Sequence, residues 1–494
     1  MKKIILSILS LLVLVTSCQD FEELEKDPNR PTNVPPSLVF SSILDDLYRE
    51  PWTDAQKWNQ FWCSNYNYYG TQEYNWTNYS FSFTTLKNVV KMEDEALKTG
   101  AKENNAYSAL GKFFRAYFFT EMTLLMGDIP MTEALKGLEN KAPKYDAQKQ
   151  VFIGVLQLLE DCNNNLATII SEGGAGPSGD FMLGGDLKKW QKVVNAYTLR
   201  VLMHLSKKEN DADLNIKQKF AAIVNNPAKY PLMEGMGDNL QYVYNSINKY
   251  PNNQDNYGFN ATRRNMSATY LNTLAALKDP RTFVVADPAP AKIAAGLAIT
   301  DFEAYVGASS GEGLDDMSTK ALKGEYSWIS KSRYYSTYTG EPCMQIGYPE
   351  MCFNIAEAIN RGWASGDAET WYKKGITASV NFYGISDAAT LETYLNQVDV
   401  KYAGNNNAGL NQILTQKYLA FFNNSGWEAF FNYRRTGVPT FLTGPGTGNS
   451  GRIPKRWQYP LSERTTNEAN YKAALKAQFD NETDDINSNI WIMN

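Results

Sequence analysis

Among side chains able to make or break bonds, histidine is the scarcest, because His204 is the only one in 494 residues. A histidine-based triad has that single candidate, and neither an HExxH zinc site nor a histidine metal cluster can be assembled around it. His204 falls on an apolar helix face, so a packed, hydrogen-bonded imidazole is expected. Carboxylates come in adjacent pairs, Asp45-Asp46, Asp315-Asp316 and Asp484-Asp485. A glycosidase needs two carboxyl groups held about 5 to 9 Å apart, whereas neighbouring acids are ordinarily solvated or bind a cation. A calcium ion could sit on the amide-rich Asn252 to Asn256 without an EF-hand loop; no metal or cofactor is expected. Gly173 to Gly185 and Gly444 to Gly451 lack the GKS or GKT ending of a phosphate loop and read as flexible connectors.

The chemistry that does fit is adhesion through aromatic rings. From Trp52 to Phe83, Trp58, Trp62, Tyr66, Tyr68, Tyr69, Tyr74, Trp76 and Tyr79 alternate with Asn and Gln. Such a mixture is poor core material, since each indole or phenol wants a polar partner at one end. It suits a sugar, whose C–H face lies on a ring while its hydroxyls meet amides. Trp58 and Trp62, four apart, are expected to pack inward from a helix. Tyr68, Tyr69, Tyr74 and Trp76 flank Gly70 in a loop and are candidate ligand contacts. Aromatics and amides mix again over 241–260 and 326–340, adding Tyr257 and Trp328 as candidates.

Helices must position these loops. In 106–126, Leu110, Phe113, Phe114, Tyr117, Phe118, Glu121, Leu124 and Leu125 recur at three and four residue intervals, so the helix is buried on most sides. Arg115 among these rings requires a carboxylate or carbonyl partner. Gly127 and Pro130 end the helix. Further helices are predicted over 37–48, 84–97, 144–166, 186–207 and 267–277, with two more between 348 and 384. Periodicity fades over 227–339, which is too aromatic for disorder.

Met1-Lys2-Lys3, the apolar run Ile4 to Val15 and the ending Val15-Thr16-Ser17-Cys18 form a leader too short to span a bilayer stably. It resembles a bacterial lipoprotein signal, which would make Cys18 the acylated first residue of the mature chain. Removing Lys2 and Lys3 takes the formal charge from −5 to −7, which disfavours nucleic-acid binding. Residues 1–17 are thus the signal peptide, 18–36 an acidic, proline-rich tether and 37–494 the binding domain. Cys63, Cys162, Cys343 and Cys352 contain no CxxC and are expected as buried thiols.

The segment RAYFFTEMTLLMGDIPMTEAL, with Asp27-Pro28-Asn29 near the start, WQKVVNAYTLRVLMHLSK and the blocks 348–385, 413–441 and 452–471, resembles the SusD/RagB family of nutrient-binding lipoproteins of Bacteroidetes. The similarity covers most of residues 27 to 475. It implies a mainly α fold of tetratricopeptide-like helix pairs with a loop-rich lobe. It also implies a non-enzymatic, surface-exposed outer-membrane lipoprotein, held by its lipid anchor and facing the cell exterior. Such a protein captures an oligosaccharide as the lid of a SusC-like TonB-dependent transporter. A peptide-capturing member of the family is the alternative, and a glycoside hydrolase on a helical scaffold the rival from another class. Acidic residues Asp20, Glu22, Glu23 and Glu25 resemble the surface-export signal of these lipoproteins.

Overall fold

Helix α3, Ala106–Met126, is the element against which most others pack, and its ends show why it forms where it does. In this computed structural model, which describes residues 33–494, Asn105 caps its start by accepting from the amides of Tyr107 and Ser108, while Ser108 Oγ accepts from Asn105 N. That reciprocal arrangement satisfies donors that have no partner within the helix. Sixteen of its residues are buried, among them Phe113, Phe114, Tyr117 and Leu125, each contributing about 1.5 to 3 kcal/mol on leaving water. Arg115 donates to the Glu93 carboxylate at 2.6 Å, as the aromatic surroundings demanded. Gly111 permits this, since a Cβ there would lie 2.1 Å from Glu93 Oε1.

The helices α1 (Pro36–Leu47), α2 (Phe83–Lys98), α4 (Gln148–Ser171) and α5 (Leu187–His204) surround α3 in chain order. The C-terminal half repeats the pattern with α6 (Tyr348–Asn360), α7 (Ala368–Phe382), α8 (Asn407–Ala420) and α9 (Glu428–Thr436), and α10 (Glu468–Phe479) closes the chain. The fold is mainly α, and consecutive helices pack on one another in both halves. Among the described residues no helix is long and apolar enough to cross a membrane. The leader, Cys18 and residues 18–32 of the tether lie outside the described residues.

Buried charges join the two halves. Arg200 on α5 donates through Nε to Glu350 on α6 at 2.7 Å and through Nη2 to the Gln345 carbonyl at 2.8 Å. Arg435 on α9 meets Glu357 on α6 at 2.5 Å. Burial would raise Glu357, but the Arg435 guanidinium overrides it and holds the carboxyl at about 2. Lys417 on α8 donates to Asn354 at 2.6 Å and Asn432 at 2.9 Å, and burial lowers it to about 8.

The lobe expected to be irregular contains two small antiparallel sheets. Strands β1 (Trp62–Ser64), β3 (Arg264–Met266), β5 (Trp328–Ile329) and β4 (Ala286–Asp287) form one in that order, and β2 (Leu240–Tyr242) pairs with β6 (Cys343–Ile346) in the other. Strands of two to four residues carry too little alternation to be read from sequence. Trp62 therefore starts a strand, whereas Trp58 ends a five-residue helix. The glycine-rich 173–185 segment is likewise fixed: the Asp180 carboxylate accepts from the amides of Met182, Leu183 and Gly185 and from Trp190 Nε1 at 2.8 Å.

The exit of α3 is held by distant residues. Trp457 N donates to the Leu125 carbonyl at 2.9 Å, Arg456 Nε to that of Met126 at 3.0 Å and Gln148 Nε2 to that of Thr123 at 2.7 Å. Asp128, buried in this turn, accepts from Gln148 N at 2.8 Å. Burial raises its carboxyl from 3.8 to about 6, with the Gln148 amide and Arg456 pulling it back in part. Between these values the unfolded chain ionises first, so stability is lost as pH rises through this window. Asp128→Asn should therefore be more stable than the parent above about pH 6, by about 3 kcal/mol, and the two should converge below about pH 4. Urea denaturation at both pH values measures the difference.

Candidate functional site

The four-stranded sheet decides which rings share a surface. In the β1–β3 pair Ser64 lies opposite Arg264 and Trp62 opposite Met266. Trp62 and Arg264 are therefore diagonal neighbours on one face, within reach of long side chains. The guanidinium of Arg264 stands 4.8 Å from the Trp62 ring and 5.7 Å from that of Tyr69. Cys63 and Asn265 point the other way, and Trp328, paired with Asn265, shares their face. It packs against a small apolar cluster of Cys63, Ala308, Met317, Ala321 and Tyr326. Trp328 is thus separated from the other candidates by the sheet itself.

Tyr74 and Trp76 are also placed elsewhere than expected. Tyr74 is 1% exposed, donating to the Trp58 carbonyl at 2.8 Å and accepting from Gln60. Trp76 stacks on Trp457 with ring centroids 3.6 Å apart and meets Trp427 and Phe430 edge-on. Both rings face the core because the backbone around them is tied to the C-terminal segment. Tyr74 N donates to the Thr447 carbonyl and Gln458 N to that of Thr77.

Tyr68, Tyr69 and Tyr257 remain. Tyr68 is 80% exposed, and it meets Tyr69 edge-on at 5.1 Å in the short 3-10 turn Asn67–Tyr69. Gly70 ends that turn at φ +80, where a Cβ would lie 3.1 Å from Lys57 Nζ. Tyr257 is half-buried, edge-on to Tyr335 at 5.3 Å, with Lys331 Nζ 4.3 Å above its ring. Tyr66, 43% exposed, carries Arg263 at 4.2 Å. The basin thus gathers rings from three distant stretches and sets cations against them. Sequence reading missed Arg263, Arg264, Lys331 and Tyr335, although the aromatic and amide-rich segments on either side of 261–325 pointed to the neighbourhood.

Polar atoms beneath these rings lack protein partners. Trp62 Nε1, Arg264 Nε, Asn252 Nδ2, Asn260 Oδ1 and Tyr335 Oη are all buried without a hydrogen bond among the described residues. Each such atom costs about 1 to 3 kcal/mol unless water or a ligand completes it. Burial lowers the Arg264 guanidinium, and nearby Tyr335 and Tyr69 offset this only in part. Burial raises Glu50, which Arg264 draws back down. Lys57 is neutralised by Asp54 at 2.8 Å.

Other candidates have structural duties. His204 Nε2 lies 3.0 Å from Glu428 Oε2, and burial keeps the imidazole below its ordinary value. Asp484 is held by Arg456 at 2.5 Å, and Asp46 accepts from Thr85 at 2.6 Å. Arg435 is ion-paired with Glu357, whereas Arg434 donates to the Lys455 carbonyl beside Phe430 and Phe431. In the Asn252 to Asn256 segment the Asn252, Asn253 and Asn256 side-chain oxygens already accept from N–H donors. Among the described residues no group of three or more His, Cys, Asp or Glu is placed to hold a metal. The four cysteines are free and buried. A cavity of about 570 Å³ beside Arg361 and Arg435 has no ring in its lining, and both guanidinium groups are spent on Glu357.

Comparison with known proteins identifies the fold. Residues 28–460 match the SusD-like family described as starch-binding and associating with the outer membrane. A SusD homologue from Bacteroides fragilis NCTC 9343 is 33% identical, with 93% of this chain and 100% of that one covered at a TM-score of 0.84. A nutrient-binding candidate of the outer membrane from Bacteroides vulgatus ATCC 8482 is 34% identical over 93% and 100% of the two chains, at 0.82. A chitin-binding SusD homologue from Flavobacterium johnsoniae shares the fold at 19% identity and a TM-score of 0.71, over 93% and 98% of the two chains. No curated protein matches the chain.

The two classes of ring should separate in stability measurements. Trp76→Ala removes a stacked core ring and should cost about 3 to 5 kcal/mol, while Tyr68→Ala should stay within about 0.5 kcal/mol of the parent. Urea midpoints of the two variants test the assignment.

Proposed function

Because this chain belongs to the SusD-like family of outer-membrane nutrient-binding proteins, whose members bind rather than transform their ligands, we propose that it captures an oligosaccharide at the basin of Tyr66, Tyr68, Tyr69 and Tyr257, with the buried Trp62 beneath them. In this reading a lipid on Cys18 anchors it to the outer face of the membrane, and it serves as the lid of a partner TonB-dependent transporter. The single observation that carries the saccharide reading is the convergence of rings and partnerless buried amides around Arg264. A pyranose offers an apolar face to the rings and hydroxyls to the amides, and so answers both needs. The leader ending in Val15-Thr16-Ser17-Cys18 supports the anchor. Many weak contacts set the affinity, so dissociation constants in the micromolar range or weaker are expected, about 8 kcal/mol or less.

A glycan array and a peptide library applied to the soluble Gln19 to Asn494 fragment test the ligand class. Saturable glycan binding should fall about a hundredfold when Tyr68, Tyr69 and Tyr257 are all replaced by Ala, at about 1 kcal/mol per ring. Peptide binding without glycan binding would make the protein a peptide receptor. For the partner, gentle detergent extraction should recover the lipid-bearing protein with a barrel transporter; recovery of the lone protein would count against the lid.

A further inference from the structure

Resting on the saccharide reading above, we infer that the oligosaccharide taken by this basin carries carboxylates, as a uronic acid does, and that Arg264 selects it. The guanidinium inventory of the chain points there. Arg49, Arg115, Arg200, Arg281, Arg333, Arg361, Arg435 and Arg456 each hold a carboxylate, and the buried Arg434 donates to the Lys455 carbonyl instead. Arg264 has no carboxylate within 4 Å among the described residues, although it is half-buried. Its Nη1 donates to Asn252 Oδ1 at 3.2 Å, and its Nε is buried without an acceptor among the described residues. Nε is one prong of the fork with which a guanidinium matches the two oxygens of a carboxylate. A neutral hexose offers single hydroxyls, which fill one prong at a time.

Further cations gather around the basin. Arg263 and Lys331 stand over Tyr66 and Tyr257 with no acid within ion-pair distance among the described residues, while Lys57 is matched by Asp54. Glu50 and Asp287 are the remaining nearby acids: Glu50 forms no ion pair among the described residues, and Asp287 accepts from the Lys331 backbone amide at 3.2 Å, with the Lys331 charge acting on its carboxyl. A chain of formal charge −5 thus keeps a cationic patch where its rings converge. Arg264 Nε is shielded from solvent, so a carboxylate reaches it by displacing the Asn67–Tyr69 turn, whose Tyr69 ring lies over the guanidinium.

The test uses the full chain purified in detergent and titrated calorimetrically with matched probes. Oligomers of galacturonate, glucuronate and mannuronate are each compared with their carboxyl-reduced twins, with maltohexaose as the neutral reference and hexaglutamate as the peptide acid. At least one acidic oligomer should bind about tenfold or more tightly than its twin, and the preference should shrink between about 0.05 and 0.5 M salt. Arg264→Gln should abolish the preference. Arg264→Lys, which keeps the charge but not the fork, should retain only part of it with an unchanged thermal midpoint. Equal affinity within every pair, or a preference that survives Arg264→Gln, overturns the inference while leaving saccharide capture standing. Tighter binding of hexaglutamate than of any saccharide overturns the sugar class, and binding of no saccharide overturns both readings together.

Discussion

The two halves of the molecule are locked by charge buried among their helices. Arg200 and His204 come from α5, Glu350 and Glu357 from α6, Lys417 from α8, and Glu428 and Arg435 from α9. Such groups are tolerated only when paired and hydrogen-bonded, because an unmatched buried ion costs several kcal/mol. The requirement works in both directions: α5 and α6 cannot slide without stranding Arg200, and the Gln345 carbonyl that Arg200 also holds belongs to β6. The loop lobe is thereby fixed to the helical body. Glu428 is held low beside His204 and Arg200, burial lowers the His204 imidazole against the pull of Glu428, and this histidine is packed within the charge cluster.

Upon that frame a very small sheet does the positioning. Its strands are two or three residues long, and its β1–β3 pair joins segments some 200 residues apart in the chain. Side chains alternate across a strand, so register alone determines that Trp62 and Arg264 share a face and that Trp328 leaves it. A slip of one residue in β1 would exchange Trp62 for Cys63 in the basin. The aromatic surface is therefore an outcome of pairing between distant strands.

Core and binding surface draw on the same residue types within one stretch. Between 52 and 83, Trp76 stacks on Trp457 and Tyr74 is enclosed, while Tyr66 and Tyr68 stay outside. The difference lies in what holds the backbone. The chain around Tyr74 and Trp76 is hydrogen-bonded to 447 and 458, whereas the Asn67–Tyr69 turn is closed mainly by its own local bonds. Rings tethered to the C-terminal segment became core, and those on the local turn remained available to a ligand.

The helices were legible in the residues because a three-to-four residue period over ten or more positions is a local property of the chain. Helix α3 was read with the same ends that it has, and Arg115, His204 and the four cysteines also followed from their immediate neighbours. The aromatic, amide-rich character of the loops was equally plain. Which rings face a ligand was not, because that depends on strand register and on hydrogen bonds between residues hundreds of positions apart. Tyr74, Trp76 and Trp328 have the composition of binding residues and the environment of core, while Arg264 looks like any surface arginine until β1 sets Trp62 beside it. Residue type and period fixed the helical body; pairing across the chain distributed its rings between core and surface, since a side chain's face is set by its backbone's partners.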